Sequence, residues 1–168
     1  MIEWIKNREN INYLIVIATI LGPVIATVIT IIYQNLRSNF EKKQLIEDRL
    51  FKIQQLAFKY PYVEDDLFIK TWNDFVENYR RGQLIDDQKD NLEKYLRYEQ
   101  YCEMIFNLIS FAFELYKEEN KVLQIVDFKS WARSHRNWWN NPIDKYSNKD
   151  TYDEKIVEII NKWWYNGK

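Results

Sequence analysis

Residues 13–33 read YLIVIATILGPVIATVITIIY, and this stretch decides the fold. No charged side chain occurs from Asn10 to Leu36, and twelve of the 21 residues quoted are Ile, Leu or Val. As an α-helix the stretch would be about 31 Å long at ~1.5 Å per residue, close to the roughly 30 Å of hydrocarbon in a bilayer. Tyr13 and Tyr33 stand at its two ends, where amphipathic aromatic side chains are favoured. The stretch therefore predicts a single transmembrane helix.

The main alternative for an apolar stretch near an N-terminus is a secretory signal peptide. The apolar part of a signal peptide is shorter, about 7–15 residues, and is followed by a cleavage site of small residues. Here the apolar stretch is followed by Tyr33, Gln34 and Asn35, which make a poor cleavage site. A spanning helix fits the stretch better, so we expect the membrane itself to be a partner of this chain.

Basic residues on either side of the span set its expected orientation. Lys6 and Arg8 precede it, whereas four basic residues follow it: Arg37, Lys42, Lys43 and Arg49. Basic residues near a span are retained preferentially on the cytoplasmic side. We therefore expect a single-pass protein of the cell membrane, with a short N-terminal tail (residues 1–12) outside and an α-helical domain (residues 34–168) in the cytoplasm.

One face of the span carries only small side chains. Ala18, Gly22, Ala26 and Thr30 recur every four residues, a small-xxx-small series that lets two helix backbones approach closely. Small residues are also common in spanning helices in general, which is the plainer explanation. The regular spacing favours association of the membrane helix, either as a homo-oligomer or with another membrane protein.

Glycine and proline are scarce in this chain. Three of each occur in 168 residues, whereas average usage would give roughly twenty together. Sheets and tight hairpins consume glycine, so the scarcity predicts an all-α fold in which the transmembrane helix continues into a helical bundle. The balance of 24 Lys and Arg against 25 Asp and Glu offers no basic domain, and we expect no nucleic-acid partner.

Apolar periodicity and helix-end signals divide the remainder into helices. A heptad-like apolar stripe follows the span and ends before Pro61; it consists of Ile46, Leu50, Ile53, Ala57 and Tyr60. Acidic residues 64–66 are typical of a helix start, and residues 80–82 (Arg-Arg-Gly) of a helix end.

Three further helices have their own start signals. These are Asp86 with Asp87 for a helix that runs to about Glu118, Asp127 for one that ends before Pro142, and Thr151 with Glu154, a capping box, for the last. Residues 104–113 are apolar nearly all round the helix, which predicts a buried position at the centre of the bundle.

Residue types that commonly carry catalysis or bind metals are few. His135 is the only histidine and shares an apolar face with Trp131 and Trp138, which favours a hydrogen-bonded core residue over a general base. Cys102 is the only cysteine and falls on an apolar stripe. Zinc sites need several Cys or His ligands, and the sequence has neither a glycine-rich phosphate loop nor a nucleophile elbow. We therefore expect no enzymatic activity, metal or cofactor.

Five of the seven tryptophans follow residue 130 and are interleaved with arginine. Packing of two amphipathic helices through their Trp faces would explain them, and so would a surface patch for a protein partner or a pocket for a small molecule. The patch hypothesis comprises six residues: Trp131, Arg133, His135, Arg136, Trp139 and Trp164.

The order of parts resembles that of small single-span membrane proteins of bacteria, some of which resemble membrane effectors of antiphage defence. The resemblance covers the whole chain: a short outer tail, an anchor and a helical cytoplasmic domain. It implies a role at the membrane in antiviral defence. We expect a protein that acts through protein–protein association, because the small-residue face is joined directly to the heptad-like stripe. Two alternatives stay open: a membrane-tethered nucleotide-binding sensor or enzyme, and an accessory subunit of a larger membrane complex.

Overall fold

The computed structural model describes residues 8–144, 148 and 151–165. Every regular element among these residues is helical, which confirms the all-α fold. The chain divides into two compact units, Met1–Leu45 and Ile46–Lys168. The first helix, α1 (Arg8–Lys59), contributes residues to both units.

The first unit contains the apolar stretch of α1. One helix in the described part of the chain is long and apolar enough to cross a membrane, and it lies near the N-terminus. The side chains from residue 15 to residue 41 are all exposed, so the apolar ones are free to contact lipid. Pro23 lies inside the helix without ending it.

Three threonines of this stretch have their hydroxyl groups satisfied within the helix. Each hydroxyl donates a hydrogen bond to the carbonyl four residues earlier: Thr19 to Ile15 (2.7 Å), Thr27 to Pro23 (2.8 Å) and Thr30 to Ala26 (2.8 Å). A polar group without a partner in hydrocarbon costs several kcal/mol. The bonds remove that cost for these threonines, so the polar side chains do not prevent the helix from entering a bilayer.

The second unit begins with the last turns of α1 and is built from short helices around one long helix. A 3₁₀ turn spans Pro61–Glu64. The helices that follow are α2 (Asp66–Lys70), α3 (Trp72–Arg81), α4 (Asp86–Asp90), α5 (Leu92–Tyr116), α6 (Glu119–Leu123), α7 (Phe128–Ser134), α8 (Arg136–Asn140) and α9 (Glu154–Tyr165).

Three of the predicted helix-end signals are confirmed. The Asp65 carboxylate accepts a hydrogen bond from the Leu67 N–H (2.9 Å) at the start of α2. The Asp127 carboxylate accepts one from the Ser130 N–H (3.1 Å) at the start of α7. Gly82 ends α3 with a φ of 66°, the left-handed conformation that glycine adopts most easily.

The helix predicted from Asp86 to about Glu118 is wrong in its extent, because Asn91 divides it into α4 and α5. The Asn91 side-chain amide donates to the carbonyl oxygen of Asp87 (2.9 Å) and to its carboxylate (3.0 Å). Such local side-chain bonds compete with helical backbone bonds. The second helix, α5, ends at Tyr116.

His135 similarly divides the helix predicted after Asp127 into α7 and α8. Its backbone (φ −101°, ψ 22°) leaves the helical region between the two. The predicted start of the last helix is also wrong, because Asp153 takes the role expected of Thr151: its carboxylate accepts from the Lys155 N–H (2.9 Å). Aspartate is among the strongest residues at this position.

Helix α5 supplies the centre of the core, as its apolar segment predicts. Buried side chains from the end of α1 and from α3, α7, α8 and α9 join those of α5 in one cluster. The predicted stripe on α1 contributes Ile46 and Ile53, which are fully buried. Each such side chain stabilises the fold by about 1.5–3 kcal/mol relative to exposure.

Aromatic pairs make up much of this core. Phe75 of α3 stacks on Tyr95 of α5 with ring centroids 3.9 Å apart, and Trp72 meets Tyr98 edge-on at 5.0 Å. Aromatic pairs add about 0.5–1.5 kcal/mol each beyond the area they bury. Aromatic packing therefore fixes α3 on α5.

We expect Gly82→Ala to test the left-handed end of α3. No described heavy atom lies within 4 Å of a methyl group built at Gly82, so the cost arises from the backbone and not from a clash. The free energy of unfolding should fall by about 1 kcal/mol, measured by tryptophan fluorescence during denaturation of the full chain in detergent. Gly82→Asn should cost less, because Asn adopts this conformation more readily; equal losses would contradict the explanation.

Candidate functional site

The structure brings together only part of the predicted Trp–Arg patch. The Arg136 guanidinium lies 5.3 Å from the centre of the Trp164 ring. Trp139 meets Trp164 edge-on at 6.3 Å, and its Nε1–H donates to Asn161 Oδ1 (3.2 Å). These contacts join α8 to α9. Because Trp139 is buried, the surface of this group consists of Arg136 and part of Trp164.

The remaining patch residues have other roles. Arg133 Nε donates to the Trp163 carbonyl (3.0 Å) and thereby ties α7 to α9. Trp131 is half-buried, and His135 is completely buried. The six residues therefore do not form one exposed patch, and packing accounts for the buried rings of Trp138, Trp139 and Trp163.

His135 lies in a buried polar cluster that joins three parts of the second unit. Its Nδ1 is 3.0 Å from the Tyr98 hydroxyl, and its Nε2 faces Glu64 Oε1 at 3.5 Å. The Tyr101 hydroxyl donates to the same Glu64 carboxylate. With Cys102, whose thiol interacts with the Tyr98 side chain, these residues form what we call the His135 cluster.

One arrangement of protons satisfies nearly the whole cluster. If the ring proton of His135 is on Nε2, facing the Glu64 carboxylate, Nδ1 is free to accept from the Tyr98 hydroxyl. The weakest contact is at Nε2, because 3.5 Å is too long for a good hydrogen bond and Nε2 has no hydrogen-bond partner among the described residues.

Burial and hydrogen bonding fix the charges in the cluster. Burial raises the pKa of both Tyr98 and Cys102, so both stay protonated at neutral pH. Desolvation opposes ionisation of Glu64, but His135 and the Tyr101 hydroxyl stabilise its carboxylate and hold its pKa below the usual value. A protonated, buried thiol is a poor nucleophile. The cluster therefore acts to hold the 3₁₀ turn, α5 and the α7–α8 junction together.

A second polar group fixes the loop that follows α8. Trp138 Nε1–H donates to Glu99 Oε2 (2.6 Å). The Arg80 guanidinium donates to three oxygens of the loop: the Asn141 side-chain oxygen (2.8 Å), the Ile143 carbonyl (3.1 Å) and the Pro142 carbonyl. Burial raises the pKa of Glu99 to about 7, although the Trp138 hydrogen bond favours the charged form.

Within residues 8–144, 148 and 151–165, no group of three or more His, Cys, Asp or Glu side chains is placed to hold a metal ion. Several charged side chains of the second unit pair with neighbours on the same helix, as Arg97 does with Glu93 and Arg81 with Glu77.

The predicted association face lies on the exposed stretch of α1. Ala18, Gly22, Ala26 and Thr30 are all exposed. No described heavy atom lies within 4 Å of a methyl group built at Gly22, and the Thr30 hydroxyl is turned back to its own helix. The face is therefore smooth, and its four residues carry no free hydroxyl hydrogen.

Sequence reasoning missed Glu64, Tyr98 and Tyr101 as partners of His135. The apolar surroundings of His135 indicate a hydrogen-bonded core residue. Its contact with Tyr98, however, joins residues 37 positions apart, and such a contact leaves no local pattern in the sequence. Glu64 was grouped with the acidic residues of a helix start. In the structure Asp65 caps that helix, which leaves Glu64 available to the cluster.

Compared with known protein families, curated proteins and solved structures, the chain matches none of them.

We expect Tyr98→Phe to destabilise the second unit by about 1–3 kcal/mol, because it leaves His135 Nδ1 buried without its hydrogen-bond donor. The ring packing of Tyr98 is kept, so the loss reports the hydroxyl. Denaturation of the full chain in detergent measures it. Tyr79→Phe, which removes a hydroxyl from a partly exposed ring, is the matched control; a Tyr98→Phe loss no larger than the control would count against the cluster.

The raised pKa of Glu99 predicts a dependence of stability on pH. The folded state holds the Glu99 proton up to about pH 7, whereas an unfolded chain releases it near its usual pKa of about 4.3. The contribution of Glu99 to the free energy of unfolding is therefore largest below about pH 4.3 and falls as the pH rises from there to about 7. Glu99→Gln keeps the acceptor for Trp138 and removes the charge.

Above pH 7, Glu99→Gln should be more stable than the parent by about 1 kcal/mol or more. The effect is smaller than for a fully buried group, because Glu99 is half-buried and water screens its charge. Thermal unfolding from pH 4 to pH 8 measures the difference. A variant that follows the parent over the whole range would show that Glu99 titrates normally.

Proposed function

We propose that this protein is a single-pass membrane protein whose α1 span associates with a second copy of itself. In this proposal the helical domain lies on the cytoplasmic side, where it docks onto a protein partner or senses a signal. The exposed face at Gly22 carries the proposal. Two further observations support it: the regular spacing of small residues and the internal bonding of the threonine hydroxyls.

Glycine at position 22 has no explanation in the packing of its own chain. Glycine inside a helix costs about 1 kcal/mol relative to alanine, and here the described residues leave ample room for a larger side chain. In membrane helices small residues allow a second backbone to come close enough for extensive van der Waals contact. Close approach of another helix supplies a reason for Gly22.

The polar groups of the face point to packing as the source of affinity. The hydroxyl of Thr30, like those of Thr19 and Thr27, is already donated to a carbonyl of its own helix. Association would then depend on side-chain volume at the contact and much less on hydrogen bonds between helices. A larger side chain at Gly22 or Ala26 would hold the backbones apart.

The proposed orientation rests on basic residues. Four follow the span closely (Arg37, Lys42, Lys43 and Arg49), against two before it, and this asymmetry favours a cytoplasmic domain. Attached to an associating span, a docking domain of this kind fits an effector whose output acts at the membrane. Membrane disruption during antiviral defence is one such output in our proposal.

We expect Gly22→Leu combined with Ala26→Leu to weaken self-association by about tenfold or more. The measurement is the molar mass of the full chain in detergent, by light scattering, together with cross-linking in native membranes. The control combines Val24→Leu and Val28→Leu, which alter nearby residues off the small-residue series and should leave the oligomer intact.

Three outcomes are informative. Loss of the oligomer only in the Gly22–Ala26 variant supports the proposal. An oligomer unchanged in both variants contradicts the proposed face. A parent chain that is monomeric in detergent and in membranes contradicts self-association, and a cross-link to a different membrane protein would then favour an accessory subunit.

A further inference from the structure

A groove in the second unit gathers cations around tyrosine rings. It has a volume of about 420 Å³ and lies between the end of α1 and the first turns of α5. Its lining residues include Leu56, Lys59 and Tyr60 from the α1 side, and Glu93, Leu96 and Arg97 from α5.

The cations are positioned by the aromatic rings. The Arg97 guanidinium lies 3.8 Å from the centre of the Tyr60 ring, and the Lys59 ammonium lies 5.2 Å from the same centre. Lys94 follows the lining residue Glu93 in the sequence, and its ammonium lies 5.9 Å from the centre of the Tyr62 ring. The Arg97 side chain is only 23% exposed, so its stem is held and its charged end has little freedom to lose on binding.

The local charge is positive. The groove lining has two cations, Lys59 and Arg97, and one carboxylate, Glu93, which pairs with Arg97. Both cations lie against the Tyr60 ring and repel each other, and an anion in the groove would relieve that repulsion. Cation–π contacts with the tyrosine ring stabilise the cations but do not neutralise their charge.

We propose that this groove binds a phosphate group, carried by a free phosphate ester or by the head group of an anionic lipid. The Arg97 guanidinium can donate two parallel hydrogen bonds to phosphate oxygens, and the Lys59 ammonium adds a point charge in the same groove. Leu56 and Leu96 supply an apolar border for the part of the ligand next to the phosphate. The site is separate from the Gly22 face, so it stands whether or not the span self-associates.

Lysine acetylation followed by mass spectrometry tests the proposal on the full chain. Lys59 and Lys94 are the reporters, and Lys70 of α2, which does not line the groove, is the internal reference. Free phosphate is supplied to detergent-solubilised protein as inorganic phosphate or as adenosine triphosphate, against chloride at equal ionic strength. Lipid is supplied by nanodiscs of phosphatidylglycerol, against nanodiscs of phosphatidylcholine.

We expect the acetylation of Lys59 and Lys94 to fall by about threefold or more relative to Lys70 in one of these arms. Protection by inorganic phosphate or adenosine triphosphate identifies a free phosphate ester. Protection only in phosphatidylglycerol identifies a lipid head group. Unchanged reactivity in every arm overturns the proposal.

Two variants separate binding from a structural role. Glu93→Gln removes the one carboxylate and frees the Arg97 guanidinium, so it should increase protection at a given concentration of the effective probe. Lys59→Gln should reduce the protection of Lys94, whereas Lys162→Gln in α9, with the same change of charge and with Lys70 kept as the reference, should not. Protection that is equal in all three variants would show diffuse attraction of anions and would overturn the proposed site.

Discussion

From Asn10 to Leu36 the chain has no charged side chain, and in hydrocarbon every backbone N–H and C=O of such a segment must be bonded within the segment itself. An α-helix is the structure that achieves this for one isolated span. Even the three threonine hydroxyls obey the constraint, because each donates to a carbonyl of its own helix. A neighbouring helix would therefore contact this surface through van der Waals packing. The two backbones could come closest at Gly22, which has no side chain.

The second unit is stabilised by side chains that are buried within the protein itself. Its core is filled by the aromatic and aliphatic side chains of α5 and of the shorter helices around it. Several polar groups in that core have partners, as Tyr98 has in His135 and Trp138 in Glu99. These bonds favour one arrangement of helices over others, since a shift that broke them would leave a buried donor or acceptor unpaired. They stabilise and orient the helices, and the exposed surface is left for recognition.

Much of this architecture could be predicted from sequence, because its causes are local. This holds for the long apolar helix near the N-terminus, the stripe on Ile46 and Ile53, the central position of α5 and the cap at Asp127. All follow from the spacing of apolar residues or from a single capping side chain. The breaks at Asn91 and His135 could not be predicted in this way. Asn91 competes with the backbone through its own amide, and His135 is held by residues far away in sequence.

The candidate sites likewise differ in whether their residues are close together or far apart in the sequence. The Trp–Arg patch was an inference from composition, and the folded chain separates its members because adjacent helical residues point in different directions. The groove at Tyr60 and Arg97 could not be predicted from sequence. Its cations, Lys59 and Arg97, come from two helices far apart in the chain, α1 and α5, and no local pattern shows that these helices are neighbours. The small-residue face at Gly22 was visible at once, because a spacing of four residues defines one side of a helix.

The central claim, that the apolar stretch of α1 spans the membrane, is tested most directly by alkaline carbonate extraction of membranes from cells that make the full chain. Carbonate at high pH releases proteins that are held to the surface by charge and leaves those embedded in hydrocarbon. The account predicts that the chain stays in the membrane pellet. Recovery of folded chain in the supernatant would contradict it.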